Sequence, residues 1–141
     1  MVVFRQKQYS EEGKELFIQY LDSLEGIKTR IKNLHWAAPA KNIHTYLDDF
    51  LDVVSGFQDT VAETYMGILG QMGPLDVNGV PCQTSTAMDL IDHVYQVTQN
   101  FYEKLPGDIE FKGIVSETET FIKDCKKYKY LFGLCQDNVS N

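Results

Sequence analysis

The sequence predicts an all-α fold, a four-helix bundle in a single domain, on three observations. Apolar residues recur at spacings of three and four along four stretches of the chain. No stretch of useful length alternates apolar and polar residues as a half-buried strand does. The prolines (Pro39, Pro74, Pro81 and Pro106) stand between the four stretches, where chain direction must change. Two long helices, a longer connection and two further helices are most economically packed as a bundle.

The first element follows from Ser10, whose hydroxyl suits an N-cap, with Glu11 and Glu12 in the turn that favours acidic groups. From there Phe17, Tyr20, Leu21, Leu24, Ile27, Ile31 and Leu34 form one apolar stripe. A helix over about 11–35 results, ending at His35-Trp36 because Pro39 drives its predecessor out of the helical region. The second helix starts at Asn42 as cap and runs through Ile43, Leu47, Phe50, Val54, Phe57, Val61 and Tyr65 to Leu69. Gly70, Gly73 and Pro74 stop it. Residues 72–84 carry Gly, Pro and Asn-Gly punctuation and read as a loop. A third helix follows a cap at Thr84 or Ser85 and uses Met88, Ile91, Val94, Tyr95, Phe101 and Leu105. Pro106-Gly107-Asp108 makes a tight turn, and a fourth helix from Ile109 ends in a tail that frays from Gln136.

At 141 residues and 43% apolar content, one domain has enough material for a core without staples. No apolar run approaches the ~20 residues needed to cross a membrane, and residues 1–10 lack the apolar stretch of a signal peptide. Cys82, Cys125 and Cys135 are odd in number and widely spaced, which predicts free thiols and a cytoplasmic location. A net charge of −7 argues against nucleic acid as a partner, since that affinity rests on basic residues displacing counterions. The basic clusters at Lys28, Arg30 and Lys32, and at Lys126, Lys127 and Lys129, read as solvated helix faces.

The chemistry concentrates on the second helix. At about 100° per residue, His44, Asp48, Asp59 and Glu63 fall near 0°, 40°, 60° and 100°, so all four project from one side. His44 with Asp48, and Asp59 with Glu63, are i,i+4 pairs able to touch one ion each. The two pairs cannot share an ion within one chain, because Asp48 and Asp59 lie roughly 16 Å apart along the axis. Two copies of the helix, antiparallel about a two-fold axis near Val53 and Val54, would bring each half-set onto the other. The small residues Ser55 and Gly56 would permit a close crossing, and His35 would add a further imidazole. Imidazoles mixed with carboxylates suit iron, manganese or zinc better than magnesium or calcium. The plainer reading of the same residues is solvated acidic groups and a histidine capping a helix end.

These residues also resemble a known family. Asn33-Leu34-His35-Trp36, then His44-x-x-x-Asp48-Asp49, then Asp59-x-x-Ala62-Glu63 is similar to the signature of Dps proteins, the twelve-subunit mini-ferritins. The resemblance implies a ferritin-like bundle and a ferroxidase site shared across a two-fold interface. Its metal ligands would be His35, His44, Asp48, Asp59 and Glu63, with Trp36 beside them. It further implies iron as the metal, a closed cage of identical subunits, and iron storage with protection from peroxide. The sequence departs from the family in a shorter link between His35 and His44 and in Thr64 where the family carries an arginine. The stretch from Gly70 to Thr84 is short for the family's extra helix at the dimer interface, and no lysine-rich DNA-binding tail is present.

Other residues read more plainly. Asp89 and His93 form an i,i+4 pair on the third helix with no second pair to face, so an exposed or capping role is favoured. No Glu-x-x-His motif is present to build a di-iron centre inside one bundle. Tyr128, Tyr130, Phe132 and Trp36 read as packing residues, and no Ser/His/Asp or Cys/His order or phosphate loop occurs. Two functions follow: an iron(II)-oxidising mini-ferritin, or a ferritin-like bundle without catalysis that serves as a structural or interaction module.

Overall fold

The computed structural model describes residues 2–70 and 74–135, with the side chains of all of these except 2–12 and 69. Four α-helices carry the chain: α1 (Val2–Ala37), α2 (Lys41–Leu69), α3 (Ala87–Glu103) and α4 (Lys112–Leu134), the last preceded by a 3₁₀ turn at Ile109–Phe111. No strand occurs among the described residues. The all-α bundle expected from the periodicity is therefore the fold observed, with α2 unbroken along its length.

Several boundaries differ from the expectation, each for a local reason. α1 begins before Ser10, because residues 2–9 contain no glycine or proline to stop a helix and a capping preference does not by itself break one. The residue capping α2 is Ala40, extended at φ −130° and without a side-chain cap, rather than Asn42. α3 is capped by Thr86, whose hydroxyl accepts from the Asp89 N–H at 3.1 Å. Thr84 is held back in the loop, where its carbonyl accepts from the Arg30 guanidinium. Gly70 ends α2 at φ +88° and donates to the Met66 carbonyl at 2.8 Å, a left-handed stop that favours glycine. The expected fraying beyond Gln136 lies outside the described residues.

Aromatic contacts fix the directions of the helices. Phe17, just before the middle of α1, stacks on Tyr65, late in α2, with ring centroids 4.9 Å apart, while His35 at the end of α1 meets His44 at the start of α2. Phe17 also meets Phe101 near the end of α3 edge-on at 5.2 Å, and Phe111, where α4 approaches, at 6.4 Å. Phe50 of α2 packs on Tyr128 and Phe132 of α4 at 4.9 and 6.0 Å. Every neighbouring pair is antiparallel, with α1 against α2 and α3, and α4 against α2 and α3. The diagonal helices α2 and α3 consequently run parallel, so the segment joining them must travel the length of the bundle. One long crossover of this kind is the connectivity of ferritin-like bundles.

The crossover lies along α1. Asp22 anchors it, accepting from the Asn78 and Gly79 N–H groups through its carboxylate and from the Val80 N–H through its carbonyl at 2.9 Å. Gly79 adopts φ +97° to make this turn. Gly26 lets the strap approach α1 closely, since a Cβ there would fall on the Val80 carbonyl. Residues 74–86 contain no helix, as their length had suggested.

The core is one continuous apolar cluster from Phe17 to Cys135. Tyr20, 4% exposed, stacks on Phe101 at 4.1 Å and shares a 2.7 Å hydrogen bond with Thr98. Burial raises its phenol pKa well above the ordinary value, and the Thr98 bond offsets part of that. Burial, with the Asp124 carboxylate secondary, pushes the Cys125 thiol up to about 12, which keeps it protonated and unreactive at neutral pH. All three cysteines are free thiols. No described helix is long and apolar enough to cross a membrane.

The Tyr65 hydroxyl is different: it is fully buried without a hydrogen-bond partner among the described residues. An unsatisfied buried hydroxyl costs about 1–3 kcal/mol. Tyr65→Phe is therefore expected to leave the protein as stable or about 1 kcal/mol more stable, read from the urea midpoint at unchanged m-value. A clear loss of stability would show that the hydroxyl has a partner.

Candidate metal centre on the outer face of α2

α2 buries Ile43, Leu47, Phe50, Val54, Phe57, Val61 and Tyr65, which leaves the opposite arc to solvent. His44, Asp48, Asp59 and Glu63 are all exposed on that arc, as the wheel angles require. The arc also carries two exposed carboxylates not singled out from the sequence, Asp49 and Asp52. Asp52 sits near 80° on the same wheel, at the centre of the exposed arc, and that angle was the available signal. Beside the arc, a groove of about 300 Å³ between α2 and α4 is lined by Asp52, Glu117 and Asp124 over the stacked rings of Phe57 and Phe121.

The structure brings His35 and His44 together. Their rings stack with centroids 3.7 Å apart and planes 22° from parallel. The contact arises because only residues 38–40 separate α1 from α2, so the last turn of one helix faces the first turn of the other. Each ring is also tied to the other residue's backbone: His35 Nδ1 donates to the His44 carbonyl, and His44 Nδ1 to the His35 carbonyl, both at 2.8 Å. A carbonyl oxygen only accepts, so both Nδ1 atoms carry the proton. The remaining lone pair of each neutral ring then sits on Nε2. A backbone carbonyl on the second ring nitrogen is the usual way a ligating histidine is oriented. Near-parallel rings direct these lone pairs in near-parallel planes, so the stacked pair does not converge on one ion.

The same bonds also do structural work. His44 satisfies the His35 carbonyl, which otherwise has only a 3.3 Å bond from the Ala38 N–H at the end of α1. The side chain that caps the end of α1 is thus that of His44, from the next helix, and not that of the histidine at the helix end itself, whose ring reaches the first turn of α2.

The other sequence candidates stay apart. Within one chain Asp48 and the Asp59–Glu63 pair are on separate turns of α2. No group of three or more His, Cys, Asp or Glu side chains among the described residues is placed to hold an ion. Within one chain these donors therefore form no complete ion site among the described residues. Trp36 is 71% exposed, and so does not pack in the core as the sequence had suggested. Tyr130, at 66%, departs in the same way, whereas Tyr128 and Phe132 are buried. Asp89 lies exposed in the first turn of α3 with its N–H on Thr86, and His93 is half-buried.

The chain matches no family model, no curated protein and no solved structure.

Proposed function

We propose that the chain is a Dps-like mini-ferritin that binds and oxidises iron(II) at a site shared between two subunits, for iron sequestration and protection from peroxide. The observation that carries this reading is the arrangement of α2. Its His44–Asp48 and Asp59–Glu63 pairs lie on one exposed arc, spaced so that an antiparallel second copy would place each against the other. The Nδ1–carbonyl bonds of His35 and His44 support it, since in the neutral rings they leave each Nε2 lone pair open to a cation, one ion to each ring. The single-crossover connectivity also fits the family the motif resembles.

On this reading iron(II) is the substrate. Each ion gives up one electron, and one peroxide accepts two, forming water with two protons from solvent. Asp48, Asp59 and Glu63 favour the product, because added positive charge is stabilised most by adjacent carboxylates. The imidazoles fix position without adding charge. Manganese(II) and zinc(II) suit the same donors, and a twelve-subunit cage is the largest assembly the resemblance implies.

A second reading has its own support. The reciprocal His35–His44 bonds complete the α1–α2 hairpin without any metal, as a non-catalytic structural or interaction bundle would need. Metal content of protein purified without chelator distinguishes the two.

The decisive test uses complementing variants. His44→Ala with Asp48→Ala removes one half-site, and Asp59→Ala with Glu63→Ala removes the other. Each variant alone is expected to lose iron(II) oxidation at least ~10-fold. In a mixed dimer one site loses both halves and the other regains its full set. Random exchange between equal amounts is then expected to restore about a quarter of the parent rate, because each heterodimer carries one working site of two. No recovery, with exchange confirmed and the parent active, would rule out the shared site.

A further inference from the structure

We propose that the groove between α1 and the crossover binds a small oxyanion, the carboxylate or phosphate group of a compact molecule, on the Nη edge of the Arg30 guanidinium. The inference is independent of the α2 face and of any metal.

The strap that Gly26 admits covers one strip of α1. At about 100° per residue, Asp22, Gly26, Thr29, Arg30 and Asn33 fall within an arc of about 100°. Strap and helix flank a groove of about 300 Å³, enough for a small organic acid or phosphate ester. Its polar side chains are Thr29, Arg30, Asn33, Asn78 and Gln83, so the sole charge lining it is positive.

Arg30 belongs to a basic cluster that the sequence assigns to a solvated face, yet it is half-buried. Its Nε–H donates to the Thr84 carbonyl, which restrains the guanidinium beside the strap. A guanidinium carries five N–H donors in a rigid fork. The four on the Nη atoms have no partner among the described residues. Pinning the strap thus uses one donor and no counter-charge, so it does not account for a half-buried cation. The acidic residues of this region are engaged elsewhere. Asp22 accepts from the Asn78 and Gly79 N–H groups, Glu25 from Lys28 and Gln58, and Asp76 from the Asn78 side chain. Asp22 also lies roughly 12 Å from Arg30 along the helix axis, beyond the reach of an unscreened surface charge.

Two oxygens of a carboxylate or phosphate match the paired N–H groups of an arginine edge, and such charge-assisted pairs are the strong ones. A chloride ion offers no second acceptor at that spacing. The Asn33 and Gln83 amides and the Thr29 hydroxyl, all exposed along the groove, have no side-chain partner among the described residues and supply further donors.

Titration calorimetry of the full chain, free of metal, tests this with inorganic phosphate and with succinate, against chloride at equal ionic strength. The expected result is a dissociation constant of about 1 mM or tighter for one of the two anions, and the tighter one identifies the group. Arg30→Gln should weaken binding at least ~10-fold. Because that change also releases Thr84, Asn33→Asp is the second variant. It keeps Arg30 and its strap bond but offers the guanidinium a carboxylate one turn away. It should weaken binding at least ~10-fold with a melting temperature no lower than the parent's. Asn100→Asp adds the same charge at an exposed position on α3 and should bind as the parent does. Failure of both anions to bind more tightly than chloride overturns the inference. So does binding that persists unchanged in Asn33→Asp, or an equal loss in Asn100→Asp, which would make the effect one of net charge.

Discussion

Phe17→Ala is expected to destabilise the protein by about 3–5 kcal/mol, the range for removing a buried phenylalanine. Phe17 is fully buried and is the point where three other segments meet α1. It stacks on Tyr65 of α2, takes Phe101 of α3 edge-on and touches Phe111 ahead of α4. These partners are large rings on separate helices, so they cannot collapse into the space without moving their backbones, and the cavity term stays large. For a domain of this size the loss corresponds to a melting temperature lower by roughly 10 °C or more. Trp36→Ala removes a larger ring, but one 71% exposed, and is expected to change stability by no more than about 0.5 kcal/mol. Thermal unfolding of the two variants side by side checks the contrast. Equal effects would mean that Phe17 is not the hub its ring contacts indicate.

Gly26→Ala is the second large effect, and its sign is the informative part. In an ordinary helix interior the change gains about 1 kcal/mol from alanine's better propensity. At Gly26 the new methyl group would coincide with the Val80 carbonyl, which is backbone and cannot rotate away. The strap must lift, straining the Val80–Asp22 bond and the turn at Gly79. Steric displacement and lost bonds together exceed the propensity gain, for a net loss of about 2 kcal/mol. Gly67, exposed on α2 with nothing near its missing Cβ, is the control; Gly67→Ala is expected to gain up to ~1 kcal/mol. Urea denaturation of both settles the matter: a Gly26→Ala variant as stable as the parent would mean that the strap does not lie against α1.

The fold was legible because it depends on periodicity. Phe17, Tyr20, Leu24, Ile27 and Ile31 announced the buried stripe of α1, and Leu47, Phe50, Val54 and Val61 that of α2; all are buried. The boundaries were less legible, since they are decided by competition. Ser10 would cap a helix if one began there, but nothing upstream prevents the helix from starting sooner. Thr84, Ser85 and Thr86 are all competent caps, and the choice of Thr86 follows from tertiary contacts of Thr84 that no local signal reveals. The course of the crossover was hidden for the same reason: Gly26 reads as an interior helix glycine until Val80 is placed on it.

The candidate site divides similarly. The wheel positions of His44, Asp48, Asp59 and Glu63 were computable from spacing alone, and their exposure follows from them. The His35–His44 stack was not, because it depends on how tightly residues 38–40 turn the chain. Nor was the exposure of Trp36, which lies past the last residue of the α1 stripe, where periodicity has nothing to say.

The crossover has a thermodynamic consequence of its own. It is the sole covalent link between two helical hairpins, α1–α2 and α3–α4, each presenting half of the core. Hairpins of this kind in solution would have to find each other by diffusion and give up translational freedom on meeting. The tether makes their meeting intramolecular, at an effective concentration in the millimolar range for a short linker. Because the strap is pinned along α1 through Asp22 and Arg30, it also limits the orientations in which the second hairpin can arrive. The domain is in effect a heterodimer of hairpins whose docking entropy has been spent in advance by its own connection.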